Sequence, residues 1–455
     1  MVDPVAVLRG AGGLAEEAAI EVSDSSEHGA LSSRLPNGAK YTLGILTAIA
    51  TINIVDRQLM SLLAQPVKLE MGLSDSQLGI ILGPATGLLF LFLGVPLARL
   101  ADRTSRKKVI GACLLFFSLA TAACGLVTSF LQLLIGRICV AAGEAGTLPA
   151  SQSIVSDMFA PERRTFALSV LTSATCLGTF IAFVIGGYLT AAFGWRLVFI
   201  MIGIPGLLLW AVFMSLTRER VRPESTAPAV SGSMLKSLAF LWSGRPFRRV
   251  CYAYSVYMTG SLTIILWLPA FFARSYGLGS ETIGLIMGLS IGVLGFAGSY
   301  LFGWLAQWMA IRNFRWNLWA VGLAALCGTP FLWSMLFVSD LTWLLVLGVL
   351  PALICNFHQA PCIAVIQTLT PQRMRSEASA LILTISSVVA ASVGPFLAGW
   401  ISDMMTLRMG DESLRYSLGI VSLAWPLAAV LFWWAARSLP SDGGDMETAA
   451  VEAQS

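Results

Sequence analysis

The chain is organised around the stretch Asn53-Ile54-Val55-Asp56-Arg57-Gln58, which lies in the middle of an apolar run from about Tyr41 to Ala64. An acid or a base within hydrocarbon costs about 2.5 to 3.5 kcal/mol on insertion scales, so such residues persist only with a partner or with water. Adjacent residues on a helix point about 100° apart, so Asp56 and Arg57 cannot neutralise each other. The sequence therefore predicts partners for both on other helices.

The composition places the whole chain in a membrane. Of its 455 residues 56% are hydrophobic and 12% are charged, and the mean hydropathy is +0.77. A helix needs about 20 apolar residues to cross the hydrocarbon core of a bilayer. Twelve such runs lie at about 41–64, 77–99, 108–127, 130–154, 166–191, 195–217, 248–273, 282–307, 315–337, 342–367, 377–401 and 414–436. We therefore predict an all-α membrane protein with twelve transmembrane helices.

The distribution of basic residues predicts the orientation. With the N-terminus inside, 22 of the 29 Lys and Arg residues fall in cytoplasmic segments, 5 fall in outer segments, and Arg57 and Arg137 lie within helices. Cytoplasmic loops of membrane proteins carry this excess of Lys and Arg. Both termini are therefore predicted to be cytoplasmic, and we expect a multi-pass protein of the bacterial inner (plasma) membrane.

The chain divides into two similar halves. Residues 72–83 align without gaps on residues 277–288, with five identities in twelve positions. Such repeats are typical of transporters that bind substrate between two bundles near the midplane. The predicted units, in chain order, are a disordered cytoplasmic tail at 1–38, a six-helix bundle at 39–217, a cytoplasmic linker at 218–247, a second six-helix bundle at 248–437 and a short cytoplasmic tail at 438–455.

A second set of intramembrane charges lies in the fourth predicted span. Arg137 and Glu144 are seven residues apart, so they project from nearly the same side of a helix, about 10 Å apart along its axis. Counting from the outer loops places Asp56, Arg57 and Glu144 at similar depth. We predict one cluster of two acids and two bases. A buried network that fixes helix register is one interpretation, and a cluster lining a water-filled cavity is the one we favour.

Basic residues also concentrate in two predicted cytoplasmic loops. Asp102 and Arg103 precede Arg106, and Arg163 and Arg164 follow the fourth span. An acid at a helix end can bind a neighbouring helix N-terminus, and the cations can meet carboxylates or lipid phosphates. We interpret these residues as a brace between helices on the cytoplasmic side, with a simple topology signal as the alternative.

The second half lacks the charge pair of the first, because Leu262 stands at the position that repeats Arg57. Its polar candidates for a secondary role in the cavity are Asn356, His358 and Tyr257. His358 could carry a proton near neutral pH, but a lone buried histidine is more often a packing residue, and we favour that interpretation. Tyr257 could line the cavity or lie in an interfacial belt.

Several of these motifs resemble the major facilitator superfamily, and within it the Spinster-like branch. These motifs are Asn53-x-x-Asp56-Arg57, Asp102-Arg103-x-x-Arg106-Lys107, Gly143-Glu144-Ala145, Ser156-Asp157-x-Phe159-x-Pro161-Glu162-Arg163-Arg164 and Gly203-Ile-Pro205-Gly206. Ala98 and Ser105 depart from the family pattern in the second of these regions, where that pattern has glycine. Organic-anion symporters of the same superfamily also resemble the Asp-Arg and Gly-Glu-Ala-Gly motifs.

The resemblance implies a proton-coupled secondary transporter that moves a lysophospholipid-like or sphingolipid-like amphiphile by alternating access. A proton symporter for uronates or small carboxylates is the alternative. The resemblance assigns substrate or proton binding to Asp56, Arg57 and Glu144, with Arg137 and Asn53 beside them. It also implies a cytoplasmic gate, whose candidate residues are Asp102, Arg103, Arg106, Arg163 and Arg164. Either Glu144 or Asp56 accepts the proton, and either Arg57 or Arg137 binds an anionic headgroup. The sequence leaves both choices open, together with symport against antiport.

Other classes of function are less well supported by the sequence. It contains no HExxH or GxSxG motif and no spacing of metal ligands, so we expect neither an enzyme nor a bound cofactor or metal. A channel and a transporter-like receptor rank lower than a transporter. The expected partners are a small amphipathic substrate, protons and the lipid bilayer, and no nucleic acid. We expect a monomer.

Overall fold

The structure, a computed structural model, describes residues 38–217, 240–370 and 374–439. Within the helices it leaves out the side chains of residues 90, 91, 95, 98, 99, 101–103, 161, 162 and 376. Most of the two predicted tails and of the predicted linker lies outside the described residues. The described residues form helices and no strand.

The first half contains seven helices, numbered here in chain order. They are α1 (Ala39–Met71), α2 (Asp75–Leu82), α3 (Pro84–Arg103), α4 (Arg106–Cys124), α5 (Phe130–Glu144), α6 (Thr147–Met158) and α7 (Pro161–Leu216). Two pairs, α2 with α3 and α5 with α6, each follow one path through the membrane with a break between them.

The second half repeats this arrangement. Its helices are α8 (Arg245–Tyr276), α9 (Ser280–Met287), α10 (Gly295–Ala310), α11 (Trp316–Phe337), α12 (Leu341–Ile354), α13 (Gln359–Leu369), α14 (Arg375–Met409), α15 (Ser413–Ser422) and α16 (Ala424–Ala436). A π-helical segment, Gly288–Leu294, joins α9 to α10.

Two glycines turn long helices back across the membrane. The described residues contain ten apolar helical stretches long enough to span a bilayer, and the stretches Arg163–Leu216 and Glu377–Ala436 measure 54 and 60 residues. Each is far longer than the roughly 20 residues that one crossing needs. Gly194 (φ 73°) breaks the first and Gly410 (φ 55°) breaks the second, in conformations that favour glycine. The described residues therefore make twelve crossings, as the sequence predicts.

The fourth crossing departs from the single helix expected for residues 130–154. It is divided at Ala145 and Gly146 into α5 and α6. Pro149 lacks the N–H that a continuous helix would bond to the carbonyl of residue 145, and a Cβ at Gly146 would come within 2.8 Å of Cys113 Sγ. The break places Glu144 at the end of a helix. The predicted start of the seventh crossing also shifts, from 248 to Arg245.

The two halves are joined at one end by a buried ionic network centred on Asp75, which is 1% exposed. Its carboxylate accepts hydrogen bonds from Lys68 Nζ (2.6 Å) and from Arg274 Nη1 and Nη2 (2.8 and 2.6 Å). Ser402 Oγ donates a further bond of 2.7 Å. Because Arg274 and Ser402 belong to the second half, the network closes this end of the interface. We call it the closed end.

A second contact at the closed end caps one half with a side chain of the other. Asp403 on α14 accepts hydrogen bonds from the backbone N–H groups of Asp75 (2.9 Å) and Ser76 (2.7 Å). These N–H groups are unpaired within their own helix because they lie in its first turn. A carboxylate is also favoured there by the helix dipole. These two N–H groups of α2 therefore bond to the Asp403 carboxylate only when the halves are in contact.

Backbones also meet without intervening side chains between α7 and α9. A Cβ on Gly284 would lie 2.1 Å from the carbonyl oxygen of Phe183, and one on Gly187 would lie 2.6 Å from that of Ser280. No side chain fits at these distances. Glycine at both positions lets the two halves approach closely, as small residues do in membrane interfaces generally.

We predict that Gly284→Ala separates the halves at the closed end. The substitution does not weaken the helix itself, because alanine favours helix by about 1 kcal/mol over glycine. Separation of the halves would therefore come from the steric contact between the added methyl group and the carbonyl oxygen of Phe183. The measurement is the distance between spin labels at Leu69 and Leu407, two exposed positions at the closed end of opposite halves. We expect the longer distances to become severalfold more populated.

The matched control is Gly44→Ala, since no atom lies within 4 Å of the Cβ that it would add. An unchanged distance distribution in Gly284→Ala would contradict a closed state that depends on backbone contact.

Candidate functional site

A cavity of about 730 Å³ lies between the two halves, within the size range of ligand sites in proteins. It is lined by helices of the first half and by α8 and α14 of the second. At the end opposite the closed end its lining residues are exposed, including Leu148, Gln152 and Thr172 on one side and Ala380 on the other. We call this the open end, because the cavity reaches solvent there.

Asp56 and Arg137 form a completely buried ion pair. Arg137 Nη1 donates to Asp56 Oδ2 at 2.7 Å, and the two side chains are 3% and 0% exposed, respectively. Thr121 Oγ1 on α4 donates to the other oxygen, Oδ1, at 2.9 Å. Both oxygens of Asp56 therefore have partners, which offsets the cost of burying the charge. Asp56 is not among the residues that line the cavity.

Arg57 and Glu144 form a second pair, at the surface of the cavity. Arg57 Nη2 donates to Glu144 Oε2 at 3.1 Å. The Glu144 side chain is 2% exposed, but that of Arg57 is 43% exposed. Both residues line the cavity. The second pair therefore presents an exposed cation to the cavity and keeps its acid buried.

Asn53 ties α1 to the break between α5 and α6. Its Nδ2 donates to Thr147 Oγ1 at 2.6 Å, and Thr147 Oγ1 donates to the backbone carbonyl of Glu144 at 2.8 Å. The carbonyl groups at a helix end need such partners, since the helix does not supply them. This chain of hydrogen bonds fixes the end of α5 against α1 and holds Glu144 in place.

Three buried polar atoms around the cavity have no hydrogen-bond partner within the described part of the chain. They are Asn53 Oδ1, Glu144 Oε1 and Arg137 Nε, and all three residues line the cavity. A buried polar group without a partner costs about 1 to 3 kcal/mol. Such atoms at a cavity wall indicate a place where a proton, water or ligand binds.

The wall opposite these charges is apolar. The residues that the second half contributes to the cavity are Met258, Leu262, Leu266, Ala380, Leu383, Thr384, Ser387, Val388 and Ala391. None of these is charged, and only Thr384 and Ser387 bear hydroxyl groups. The cavity therefore has a charged wall from the first half and an apolar wall from the second.

The structure brings together the four charged residues that the sequence places in one cluster, and it arranges them as two separate pairs. Asn53 lies beside them. Sequence reasoning missed Thr121 and Thr147, which contribute hydroxyl groups to the cluster. A depth count along the third predicted span, like those for the first and fourth, would have placed Thr121 near the charges.

The secondary candidates of the second half, Asn356, His358 and Tyr257, are not among the described residues that line this cavity. The buried ring of His358 packs 4.8 Å from that of Tyr254 and 4.6 Å from that of Tyr257. Tyr257 Oη donates to the carbonyl of Ile354 at 2.8 Å, where α12 ends. These contacts lie within the second half and agree with the interpretation of His358 as a packing residue.

The gate candidates lie toward the open end. Arg106 forms an ion pair with Asp157, which joins α4 to α6 within the first half. Arg163 and Arg164 are exposed in the first turn of α7. The side chains of Asp102 and Arg103 lie outside the described part of the chain. Among described residues, the ion pair that joins the two halves is that of Arg274 with Asp75, at the closed end.

Twelve membrane crossings in two similar halves, with a cavity between them that is open at one end, define the class of membrane transporters that work by alternating access. The family model of the Major Facilitator Superfamily matches residues 43–391, and the chain belongs to that family. The predicted superfamily and fold are thereby confirmed, and the protein is a multi-pass membrane transporter.

Relatives and solved structures agree with this assignment. The chain is 31% identical over 427 residues to an MFS-type efflux pump of Mycolicibacterium smegmatis, covering 93% of this chain and 97% of that protein. It is 25% identical over 421 residues to a probable L-galactonate transporter of Escherichia coli, covering 88% and 90%.

Two crystal structures of a bacterial homologue of the human lysosomal transporter Spinster share the fold. The inward-facing occupied form has a TM-score of 0.80 at 24% identity and covers 89% of this chain and 98% of that one. The inward-facing unoccupied form has a TM-score of 0.78, also at 24% identity, and covers 88% and 97%. This is the fold that the Spinster-like resemblance predicts.

Proposed function

We propose that this protein is a proton-coupled transporter of the Spinster-like branch, which moves an amphipathic substrate with an anionic headgroup by alternating access. A lysophospholipid or a sphingolipid-type molecule is the proposed substrate class. The observation that carries the proposal is the division of the cavity into a charged wall and an apolar wall. A substrate that fits both must be charged at one end and apolar along the rest of its length.

Arg57 is the proposed binding residue for the anionic headgroup. Its guanidinium lines the cavity and is nearly half exposed. Arg137 is the less suitable of the two bases, because it is buried and engaged by Asp56. A guanidinium can hold a phosphate or carboxylate through two parallel hydrogen bonds.

The apolar wall is the proposed contact for the hydrocarbon chain. Leu262, Leu266, Leu383 and Val388 face the cavity from α8 and α14. Each methylene group that moves from water onto such a surface contributes about 0.8 kcal/mol. A sugar acid would place several hydroxyl groups against the same wall, where only Thr384 and Ser387 among the described lining residues bear hydroxyl groups.

Glu144 is the proposed proton acceptor. Asp56 is separated from the cavity, and both its oxygens have partners. Glu144 lines the cavity and has one oxygen without a partner. A proton on Glu144 removes the charge that holds Arg57. The two protonation states therefore favour different positions of Arg57, which biases the equilibrium between conformations.

The proposed orientation places the closed end outside and the open end in the cytoplasm. The excess of basic residues on the side of the open end supports this. Two solved structures of the same fold are inward-facing. We propose an inner-membrane protein with both termini cytoplasmic, in an inward-open state.

An organic-anion symporter is the second candidate. The relatives include a probable L-galactonate transporter and a probable galactarate/D-glucarate transporter of Escherichia coli. Arg57 could bind a carboxylate as well as a phosphate. The apolar wall favours the amphiphile, because hydroxyl groups that lose water without gaining partners weaken binding.

The test is ligand-induced stabilisation of the purified protein at about pH 5.5 and about pH 7.5. Lysolipids and sphingoid phosphates are compared with uronates and small dicarboxylates. We expect a pH-dependent stabilisation by the amphiphiles that is lost in Arg57→Ala. Arg408→Ala is the matched control, because it removes an exposed arginine that lies outside the cavity. Stabilisation by the small anions alone would support the second candidate instead.

A further inference from the structure

Four arginines of the second half gather around the end of α16. They are Arg249 near the start of α8, Arg312 and Arg315 between α10 and α11, and Arg437 directly after α16, and we call them the arginine cluster. Arg315 Nε donates to the carbonyl of Leu439 at 2.7 Å. Arg249 Cζ lies 4.3 Å from the centroid of the Trp434 ring. Because Trp434 and Leu439 are only about 7.5 Å apart along a helix axis, both arginines contact the same end of α16.

The cluster lies at the membrane surface opposite the closed end. Arg249 and Arg274 stand about 37 Å apart along the axis of α8, and Arg274 belongs to the network of the closed end. This length exceeds the roughly 30 Å of a hydrocarbon core. Tyr276 Oη donates to the carbonyl of Val338 after the end of α11. Since α11 therefore ends at the closed end, it begins on the side of the cluster.

The cluster has no acidic partner within the described part of the chain. The ion pairs found there all use other bases. Glu377, the described acid of the second half on this side of the membrane, lies in the first turn of α14 and forms an ion pair with none of the four. The first turns of α8 and α11 also lack acids and side-chain caps, so their helix dipoles add partial positive charge. This surface therefore favours an anion.

Exposed tryptophans lie directly beside the arginines. Arg312 Cζ is 4.3 Å from the centroid of the Trp308 ring, as Arg249 is from Trp434. Trp308 and Trp434 are 47% and 41% exposed, and tryptophan is enriched where hydrocarbon meets the headgroups of a bilayer. A guanidinium held over a ring keeps N–H groups, which point outward in its own plane, for a phosphate. A fitting ligand has a phosphate beside the arginines and apolar chains beside the tryptophans.

We propose that the arginine cluster binds the headgroup phosphate of an anionic phospholipid from the surrounding leaflet. Basic residues at the ends of membrane helices bind anionic lipids by this chemistry. A lipid whose headgroup also carries an ammonium fits less well, because no described acid faces the cluster to hold that cation. The four arginines are not among the residues that line the cavity. The site is therefore separate from the substrate site proposed at Arg57 and does not depend on it.

Native mass spectrometry of the full-length protein, titrated with lipid in detergent micelles, tests the site. The probes are dioleoyl phosphatidylglycerol and dioleoyl phosphatidylcholine, which share their acyl chains and phosphate and differ in the ammonium. We expect the glycerol lipid to bind at least tenfold more tightly. Glycerol 3-phosphate carries a phosphate without acyl chains. We expect it neither to bind at the same concentration nor to displace the lipid.

Three variants assign the binding to the cluster. Arg249→Gln with Arg437→Gln is expected to weaken phosphatidylglycerol binding tenfold or more, since each arginine near a membrane surface contributes about fivefold. The matched control is Lys40→Gln with Lys108→Gln, which removes two exposed charges of the first half on the same side of the membrane. Trp434→Leu keeps every arginine and should weaken binding severalfold. It also serves as the test if the double arginine variant does not fold.

Equal binding of the two lipids would overturn the proposal. Equal losses in the arginine and lysine variants would also overturn it, because they would indicate a general effect of surface charge. Displacement of the lipid by glycerol 3-phosphate would identify a site for a soluble phosphate instead. None of these outcomes affects the proposed function, which Arg57→Ala tests.

The acidic residues that follow Leu439 in the sequence are the alternative occupant of the cluster. They include Asp442, Asp445 and Glu447. A tenfold rise in lipid binding in the triple variant Asp442→Asn, Asp445→Asn and Glu447→Gln would assign the cluster to this segment and overturn the lipid site. We expect lipid binding in this variant to stay within about twofold of the wild type.

Discussion

Proton-driven transport is expected to fall at least tenfold in Glu144→Gln, while the protein still folds and still binds substrate. Glutamine keeps the shape of the side chain and an acceptor for Arg57, but it cannot take or release a proton. Loss of the charged partner also weakens the contact with Arg57 by about 1 to 2 kcal/mol, because a bond to a carboxylate is stronger than one to an amide. The equilibrium between the conformations would then no longer depend on protonation of this side chain.

The measurement is uptake of labelled substrate into proteoliposomes with and without a pH gradient. We expect the wild-type rate to depend on the gradient and the Glu144→Gln rate to be the same with and without it. Glu281→Gln is the matched control, because it makes the same substitution at an exposed position near the closed end. If Glu144→Gln kept its response to the gradient, the proton acceptor would have to be another residue, with Asp56 next to be tested.

Removing Asp56 is expected to affect stability more than any other single change in the charge cluster. Asp56→Ala leaves Arg137 buried without a counter-charge and leaves the hydroxyl of Thr121 without its acceptor. Breaking a buried ion pair in this way costs about 3 to 5 kcal/mol. We expect the free energy of unfolding in detergent to fall by about this amount, as measured by denaturant titration.

Two further variants separate the pair from a general loss of packing. The double variant Asp56→Ala with Arg137→Ala should recover part of the lost stability, since no unpaired charge remains in the interior. Asp157→Ala removes an acid whose side chain is 45% exposed and whose partner is Arg106. A pair of that kind contributes about 0 to 1 kcal/mol. Equal losses of unfolding free energy in Asp56→Ala and Asp157→Ala would contradict this expectation, because breaking the buried Asp56–Arg137 pair would then cost no more than breaking an exposed pair.

The closed end was not predicted from the sequence. In the sequence, Asp75 and Arg274 look like ordinary charged residues of two outer loops, separated by 199 positions along the chain. Asp403 lies 328 positions from the residue whose N–H group it caps. Local patterns of hydropathy predict how deep in the membrane a residue lies. They do not predict which residue of the other half faces it. This network depends on the approach of the two halves and is present only when they meet.

The sequence by itself determined the twelve crossings, the repeat of two halves and the need of Asp56, Arg57, Arg137 and Glu144 for partners. Each of these follows from local composition, because the cost of a charge in hydrocarbon depends on its depth. The tertiary structure alone decided that Asp56 pairs with Arg137 and Glu144 with Arg57, and that only the second pair reaches the cavity. The rotation of α1 against α4 and α5 sets these contacts, and this rotation is a property of packing between helices that no single stretch of the chain contains.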